Sequence, residues 1–215
     1  MKIGIIGSGV VGQVLARAFH AEGHQVSLGT RNTEKAEVLT FSQQNPGIRV
    51  GQFEETAIWG ELLVLAVNGT AAEQAIALCG KDHFSHKTVI DATNPIAAAP
   101  PVNGVLKFFT SLDGSLMERI QLLLPEARLV KAFNSVGHMF MYKPSFSGIR
   151  PTMFICGNSE EAKKTVAGLL SDFGWDAEDM GKAESARAIE PLCMLWCIPG
   201  LLRNEWSHAF KLLKA

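Results

Sequence analysis

Residues 2–13 of the chain read KIGIIGSGVVGQ, and this stretch decides the fold. The run Ile3–Ile6 is apolar and short, as expected of a buried strand. Gly7, Gly9 and Gly12 follow at the spacing G-x-G-x-x-G. In a nucleotide-binding turn, the first such glycine makes the tight turn and the second lets the backbone approach a pyrophosphate. The third allows the following helix to pack closely on the strand.

The sequence after the glycines supports this interpretation. Apolar residues recur at helical steps as far as Phe19, and Gln25–Leu28 predicts a second strand. A glycine turn between a strand and a helix, with a further strand behind it, is typical of a dinucleotide site. The free amides and the positive end of the helix would then face the pyrophosphate.

The end of the second strand indicates which dinucleotide is bound. An NAD site usually carries an acidic residue there, whereas an NADP site carries arginine. Here the sequence is Gly29-Thr30-Arg31-Asn32, with Lys35 close by and no acid before Glu34. Arg31 can hold a 2′-phosphate with its planar fork, Thr30 can donate a hydroxyl and Lys35 adds a charge. Asn32 or Thr33 is the expected N-cap of the next helix. The pattern favours NADP.

Composition narrows the class of protein. The chain has 215 residues, of which 47% are hydrophobic and 19% charged, with a net charge of −1. This balance favours neither nucleic acid nor an anionic membrane as a partner. We expect no secretory leader and no membrane span, because the most apolar stretch, Pro191–Leu202, is short and broken at Pro199-Gly200. The four cysteines are interpreted as buried thiols, and the predicted location is cytoplasmic.

Strands and helices alternate along the chain, which predicts a Rossmann-type, doubly wound and mostly parallel α/β sheet. A continuous apolar run, Leu62–Val67, has the character of a strand covered on both faces. Thr70 with Glu73 predicts a capped helix. Ligands collect at the carboxyl ends of such strands. Those ends are Gly7–Gly9, Thr30-Arg31, Ala66-Val67-Asn68 and Thr93-Asn94-Pro95.

The second half of the chain is expected to be more irregular at first. Residues 95–110 form a long loop, Ser115 and Glu118 form a capping box, and Asn158 is the predicted N-cap of a later helix. A small helical C-terminal portion, residues 184–214, is expected to be interrupted at Pro199-Gly200. We assign residues 1–150 to an NADP-binding domain and residues 151–215 to a small strand–helix portion packed on it.

The sequence contains no evident acid–base pair. Its only tyrosine, Tyr142, lacks a lysine four residues later, and there is no G-x-S-x-G nucleophile turn. His83 and His86 have no supporting metal ligands, so no metal site is predicted. His138, after a strand end, is the one candidate for proton transfer. Hydride transfer between two bound cofactors needs alignment and few ionisable groups. Because the sequence shows no acid–base pair, it favours a transfer of this kind.

The chain resembles the coenzyme F420-dependent NADP oxidoreductase family over nearly its whole length. The resemblance is carried by the opening I-G-I-I-G-S-G-V-V-G, by G-T-R-N-T-E-K at 29–35, L-V-L-A-V-N at 63–68, D-A-T-N-P at 91–95, V-K-A-F-N-S at 130–135, F-I-C-G-N-S-E-E-A-K at 154–163 and D-M-G-K-A-E-S-A-R-A-I-E-P at 179–191. The chain is also similar to the cytosolic reductase domain of the six-transmembrane metalloreductases.

This resemblance implies a homodimer that passes hydride between NADP and a deazaflavin or flavin-like small-molecule partner. The implied cofactor contacts are Gly7, Ser8, Gly9, Val10, Val11 and Gly12 at the pyrophosphate, Thr30, Arg31, Asn32 and Lys35 at the 2′-phosphate, Ala66, Val67 and Asn68 near the adenosine and ribose, and Thr93, Asn94, Pro95, Ala132, Asn134, Ser135, Val136, Gly137 and His138 around the nicotinamide. Leu192, Leu195, Trp196 and the residues near Pro199 are implied as an apolar wall for the second cofactor.

Two alternatives stay open from the sequence. One is an NADP-dependent reductase of a small imine or a 2-hydroxy acid, although such enzymes usually add a long helical domain. The other is a non-catalytic NADP-sensing protein.

Overall fold

The computed structural model describes residues 1–215. A six-stranded parallel sheet has the order β3-β2-β1-β4-β5-β6. Its strands are β1 (Lys2–Ile6), β2 (Gln25–Thr30), β3 (Arg49–Gln52), β4 (Leu62–Leu65), β5 (Thr88–Asp91) and β6 (Arg128–Lys131). The α-helices are α1 (Val10–Ala21), α2 (Ala36–Gln44), α3 (Phe53–Trp59), α4 (Ala72–Cys79), α5 (Leu116–Leu123), α6 (Glu160–Asp172) and α7 (Ala186–Arg203). The predicted Rossmann-type fold is confirmed.

Helices cover both faces of the sheet, and two apolar cores result. One core contains buried residues of α1, α2 and α6, and the other contains those of α3, α4, α5 and α7. The sequence of β4 is apolar throughout because both of its faces are buried. Val64 lies in the first core, and Leu63 and Leu65 lie in the second.

The strand order reverses between β1 and β4, because the chain leaves β1 towards β2 and later returns to β1's other side. The loops after these two strands therefore diverge and leave a crevice at the carboxyl edge of the sheet. In open α/β sheets this switch point is where ligands bind.

A small two-stranded sheet, β7 (Thr152–Ile155) with β8 (Asp176–Asp179), follows the main sheet. It is attached by an antiparallel bridge in which the Lys131 amide donates to the Cys156 carbonyl over 3.0 Å. The residues after α7 run back over this sheet, where the Thr152 amide donates to the Phe210 carbonyl over 2.8 Å. The predicted division at residue 150 stays a prediction.

Several local predictions were wrong. The helix α7 runs through Pro199-Gly200 and ends at Arg203, after which residues 204–215 are not helical. Proline at 199 is tolerated because only one helical hydrogen bond is lost, and Gly200 leaves room for the Trp206 ring to lie on the helix. The strand β8 was not predicted, since Asp176–Asp179 is polar and lies at an edge.

Three predicted N-caps were also misplaced. The side chain of Asn158 accepts from the Ala183 amide over 3.1 Å, and Ser159 caps α6 instead. Thr70 lies in a 3-10 turn, and α4 begins at Ala72 without a side-chain cap. The N-cap of α2 is Lys35, because Asn32 closes a local turn by accepting from the Glu34 amide. By contrast, the capping box of Ser115 and Glu118 is confirmed.

The four cysteines are free, and Cys197 alone among them is not fully buried. None of the helices combines the length and the apolar character needed to cross a membrane.

Candidate functional site

A cavity of about 290 Å³ lies outside the carboxyl ends of β1, β2 and β4. It brings together nine of the residues predicted from the sequence: Gly7, Ser8, Gly9, Thr30, Arg31, Lys35, Ala66, Val67 and Asn68. Five others line it that the sequence did not indicate: Glu37, Phe53, Ala71, Gln74 and Ala75. We call this the charged cavity.

The glycine turn forms the floor of the charged cavity, and its geometry explains each glycine. Gly7 has φ of +129°, and a Cβ there would also overlap the Ala66 carbonyl. A Cβ at Gly12 would overlap the Gly7 carbonyl, so glycine allows α1 to start directly against the turn. Gly9, the N-cap of α1, has nothing within 4 Å of its Cβ position. The open side of Gly9 is where a phosphate can approach the amides of α1.

The end of β2 supplies the cations of the charged cavity. Arg31 is exposed and forms no ion pair, while Lys35 is 3.6 Å from the carboxylate of Glu37. The Ser8 hydroxyl donates to Thr30 Oγ1 over 3.0 Å, which ties the glycine turn to the strand that carries the cations. Arg31 is thus available to an anionic group. Asn32 is exposed but does not line the cavity.

A second cavity of about 410 Å³ lies on the other side of the Val67-Asn68 loop, outside β4 and β5. It is lined by Val11, Val67, Asn68, Gly69, Thr70, Ala92, Asn94, Ile96, Ala97 and Ala98, none of which is ionisable. We call this the neutral cavity. Val67 and Asn68 line both cavities, so the two form neighbouring halves of one crevice.

Five of the predicted nicotinamide-side residues do not line the neutral cavity. Thr93, Pro95, Ala132, Asn134 and Ser135 are all buried. The side-chain amide of Asn94 donates to the Asn134 carbonyl over 2.9 Å, and the side-chain amide of Asn134 donates to the Ile189 carbonyl over 2.8 Å. These two bonds connect the loops after β5 and β6 to α7. Val10 and Gly12 likewise line neither cavity.

The sequence reasoning missed an ion-pair network directly beneath these loops. Lys131 Nζ lies 2.7 Å from Asp91 Oδ2 and 2.9 Å from Glu190 Oε1, and all three side chains are buried. Burial opposes the charged form of Lys131, but the two carboxylates outweigh it and hold the pKa of Lys131 above its usual value. Asp91 and Lys131 are opposite each other in the β5–β6 register, a signal that could have been read once these strands were paired.

A neighbouring ion pair joins α5 to α7 at the surface. Arg187 donates two hydrogen bonds to the Glu118 carboxylate. Its Nε lies 3.0 Å from Oε2, and its Nη2 donates to Oε1. Arg187, together with hydrogen bonds from Ser115, lowers the pKa of Glu118 to about 2.

His138 lies elsewhere. It is exposed, in a 3-10 turn, and lines a third cavity of about 380 Å³ with Gly137, Met139, Phe140, Trp196 and Trp206. This cavity shares no lining residue with the neutral cavity. Trp196 lines this third cavity, whereas Leu192 and Leu195 do not, so the apolar wall implied for a second cofactor stays a prediction.

Comparison with known proteins finds relatives that are similar over most of the chain. Residues 2–95 match the family described as NADP oxidoreductase, coenzyme F420-dependent. The F420-dependent NADP reductase of Methanocaldococcus jannaschii is 29% identical over 205 residues, which cover 91% of this chain and 90% of that one. The metalloreductase STEAP3 of Rattus norvegicus is 31% identical over 207 residues, but the chain spans only 39% of its length.

Solved structures with a similar fold include two reductases. The crystal structure of a candidate F420-dependent NADP-reductase from Arthrobacter sp. FB24 has a TM-score of 0.93 and 29% identity, and each chain is covered completely. An imine reductase from Aspergillus terreus has a TM-score of 0.68 at 18% identity, with 94% of this chain and 63% of that chain covered. The second likeness concerns the fold alone.

Proposed function

We propose that this chain, which belongs to the family of coenzyme F420-dependent NADP oxidoreductases, transfers hydride between NADP(H) and a deazaflavin or flavin-like acceptor. Membership of the family makes the chain an oxidoreductase. The identity of its second substrate is the part that we infer.

The charged cavity supports the choice of NADP. Arg31 is unpaired, Thr30 and Lys35 lie beside it, and the amides of α1 open onto the same space at Gly9. A 2′-phosphate would complement Arg31 and Lys35, and a pyrophosphate would complement the α1 N-terminus. Glu37 also lines this cavity and lies 3.6 Å from Lys35, so part of the Lys35 charge is already balanced and the unpaired Arg31 is the main partner for a 2′-phosphate.

The lining of the neutral cavity is the main support for the proposed acceptor. None of its ten lining residues can donate or accept a proton as a general acid or base. A bound nicotinamide supplies the hydride chemistry, and the chain has only to align the two reactants and exclude water. A deazaflavin accepts hydride at C5 and a flavin at N5, in neither case with a side-chain acid at the reacting atom, whereas a keto acid or imine substrate is usually protonated by the enzyme.

The alternatives are less well supported. His138 is the candidate acid for an imine or hydroxy-acid reductase, but it lines a different cavity. The likeness to the Aspergillus imine reductase concerns the fold alone, because the identity is 18%. A protein that only senses NADP would need no second substrate, and catalysis has to be measured to separate that case.

An acceptor screen tests the proposal. We expect NADPH oxidation, followed at the nicotinamide absorbance, when coenzyme F420 or a free flavin is added to the purified protein. His138→Ala should leave that rate unchanged, which makes it a matched control. Oxidation by a cyclic imine or a keto acid alone would contradict the proposed acceptor. The absence of oxidation by any acceptor, with NADPH bound, would favour the sensor.

We also propose that the chain forms a homodimer through the exposed side of α7. This helix is apolar on all sides, and Leu195 and Leu202 remain more than half exposed. Leu202 lies against Gly104, next to the exposed Val102 and Val105. A second copy is the fitting occupant because a two-fold axis pairs such a leucine face with itself. Sedimentation velocity should give twice the mass of the chain, and the mass of one chain would contradict the proposal.

A further inference from the structure

The first turn of α5 is where three distant parts of the chain meet. Glu190, on α7, accepts from the amides of Leu116 and Met117 at 2.9 and 3.0 Å. The same carboxylate pairs with Lys131 at the end of β6, which also pairs with Asp91 at the end of β5. Two carboxylates and one ammonium leave an excess negative charge, which the positive end of α5 balances. We call Lys131, Asp91 and Glu190 the buried triad.

The buried triad acts directly on the loop that carries Asn94. Lys131 Nζ donates to the Thr93 carbonyl over 3.0 Å. Asp91 Oδ1 accepts from the Thr93 amide over 2.9 Å and from the Thr93 hydroxyl over 2.6 Å. Thr93 is thus held by three hydrogen bonds from two members of the triad. The next residue, Asn94, lines the neutral cavity.

The loop after β6 is hydrogen-bonded to α7 at Ile189, one residue before Glu190. Asn134 donates to the Ile189 carbonyl, and Asn94 donates to the Asn134 carbonyl. The wall of the neutral cavity is therefore connected to α7 by two routes, one through Glu190 and Lys131 and one through Asn134.

A buried network of this kind is poorly explained by stability alone. Removing three charged groups from water is so costly that apolar replacements of the same shape are often equally stable. What a buried polar network does add is direction, since each bond in it favours one arrangement of the groups around it. Lys131 Nζ donates to the Thr93 carbonyl and lies within ion-pair distance of Asp91 and Glu190. The network is not saturated, because Asp91 Oδ2, Asn94 Oδ1 and Asn134 Oδ1 are buried without a hydrogen-bond partner.

We propose that Lys131, Asp91 and Glu190 are positioning residues, which hold the loop from Thr93 to Pro95 so that the neutral cavity keeps the shape that the nicotinamide half of the cofactor requires. This inference rests on the proposed binding of NADP(H), but not on the identity of the acceptor. It assigns a role to the Glu190-Pro191 motif, which the proposed function leaves unexplained.

A second lysine offers a matched control. Lys163 is also buried and also pairs with two carboxylates, Glu160 at 2.8 Å and Asp179 at 2.7 Å. It approaches the Gly181 carbonyl at 3.4 Å, and none of these residues lines either half of the crevice. Lys163→Met should therefore lower thermal stability without changing how the two halves of the cofactor bind.

The test compares two ligands that share the adenosine half. Adenosine 2′,5′-bisphosphate occupies the charged cavity only, while NADPH needs both cavities. In Glu190→Gln we expect the dissociation constant of adenosine 2′,5′-bisphosphate to stay within about twofold, as for independent sites. That of NADPH should rise by about five- to tenfold, the scale on which residues without ligand contact alter binding. The fluorescence of bound NADPH should change as well.

The outcomes separate the possible failures. A Glu190→Gln variant that melts earlier but keeps the wild-type ratio of the two dissociation constants would show that the triad is structural only. An equal loss of both ligands would also overturn the positioning role. Wild-type protein that binds neither ligand would overturn the proposed function, and this inference with it. Should Glu190→Gln not fold, Thr93→Val keeps the triad's charges, removes the hydrogen bond from the Thr93 hydroxyl to Asp91 and carries the same expectation.

Discussion

The two halves of the crevice share Val67 and Asn68 but handle charge in opposite ways. In the charged cavity, Arg31 and Lys35 stand at the surface and can move to meet an anion. In the neutral cavity no lining residue is ionisable, and the charges lie one layer behind it, as the buried triad.

This difference fits the roles that we propose for the two halves. Recognition of a phosphate gains from exposed cations, which strengthen binding without needing one fixed geometry. Alignment of a reacting ring gains from walls that do not move. Charge is therefore used for affinity on one side and for rigidity on the other.

The largest expected effect comes from the glycine turn, where fold and binding can be separated. Gly12→Ala should destabilise the protein by about 3 kcal/mol, because its Cβ overlaps the Gly7 carbonyl and forces α1 away from β1. Chemical denaturation measures this loss.

Gly9→Ala is the control for that substitution. It should leave stability nearly unchanged, since its Cβ meets nothing within 4 Å, yet weaken NADPH binding by filling the approach to the amides. Equal stability of the two variants would contradict the assigned glycine roles.

Arg31→Ala tests the charged cavity itself. We expect NADPH binding to weaken by about 1.5–3 kcal/mol, the scale of a hydrogen bond to a charged group, while NADH binding changes little. Isothermal titration of both ligands measures the difference. If both affinities fell equally, Arg31 would not contact the 2′-phosphate, and the contrast between the two cavities would lose its main support.

The smallest effect concerns the surface pair that joins α5 to α7. Because Arg187 and Ser115 lower the pKa of Glu118 from 4.5 to about 2, the ionised carboxylate stabilises the fold above pH 4.5. This contribution is lost as the pH falls from about 4.5 to about 2.

Glu118→Gln should thus cost about 1 kcal/mol at pH 7, a modest value because Arg187 is partly exposed. The cost should shrink at pH 3, as measured by urea denaturation at both values. A cost that does not change with pH would show that the Glu118 charge contributes nothing.

The sequence was most informative where the interactions are local. The glycine spacing, the cations after β2 and the capping box of Ser115 depend on neighbouring residues, and the structure places each of them as expected. The position of Arg31 in the charged cavity follows from parallel strands ending at one edge.

Contacts between residues that are far apart in the sequence were harder to predict. Lys131 follows two apolar residues, and only the pairing of β5 with β6 and the arrival of α7 show that it is matched by two carboxylates. Asn158 stands where a helix N-cap is expected, but its side chain accepts a hydrogen bond from the Ala183 amide of a later segment. Five residues expected beside the nicotinamide are buried and line neither half of the crevice, and one of them, Asn134, is bonded to α7 at Ile189.

The position of Glu190 along the chain has a consequence for the order in which the molecule is completed. All residues that line the charged cavity come from the first 75 positions, but α1 beside that cavity packs in one core with the later helix α6. Lys131 meets its second carboxylate only on α7, which follows α6 in the chain. The buried triad is therefore completed after the parts of the chain on which the charged cavity depends, and the last long helix supplies its final carboxylate.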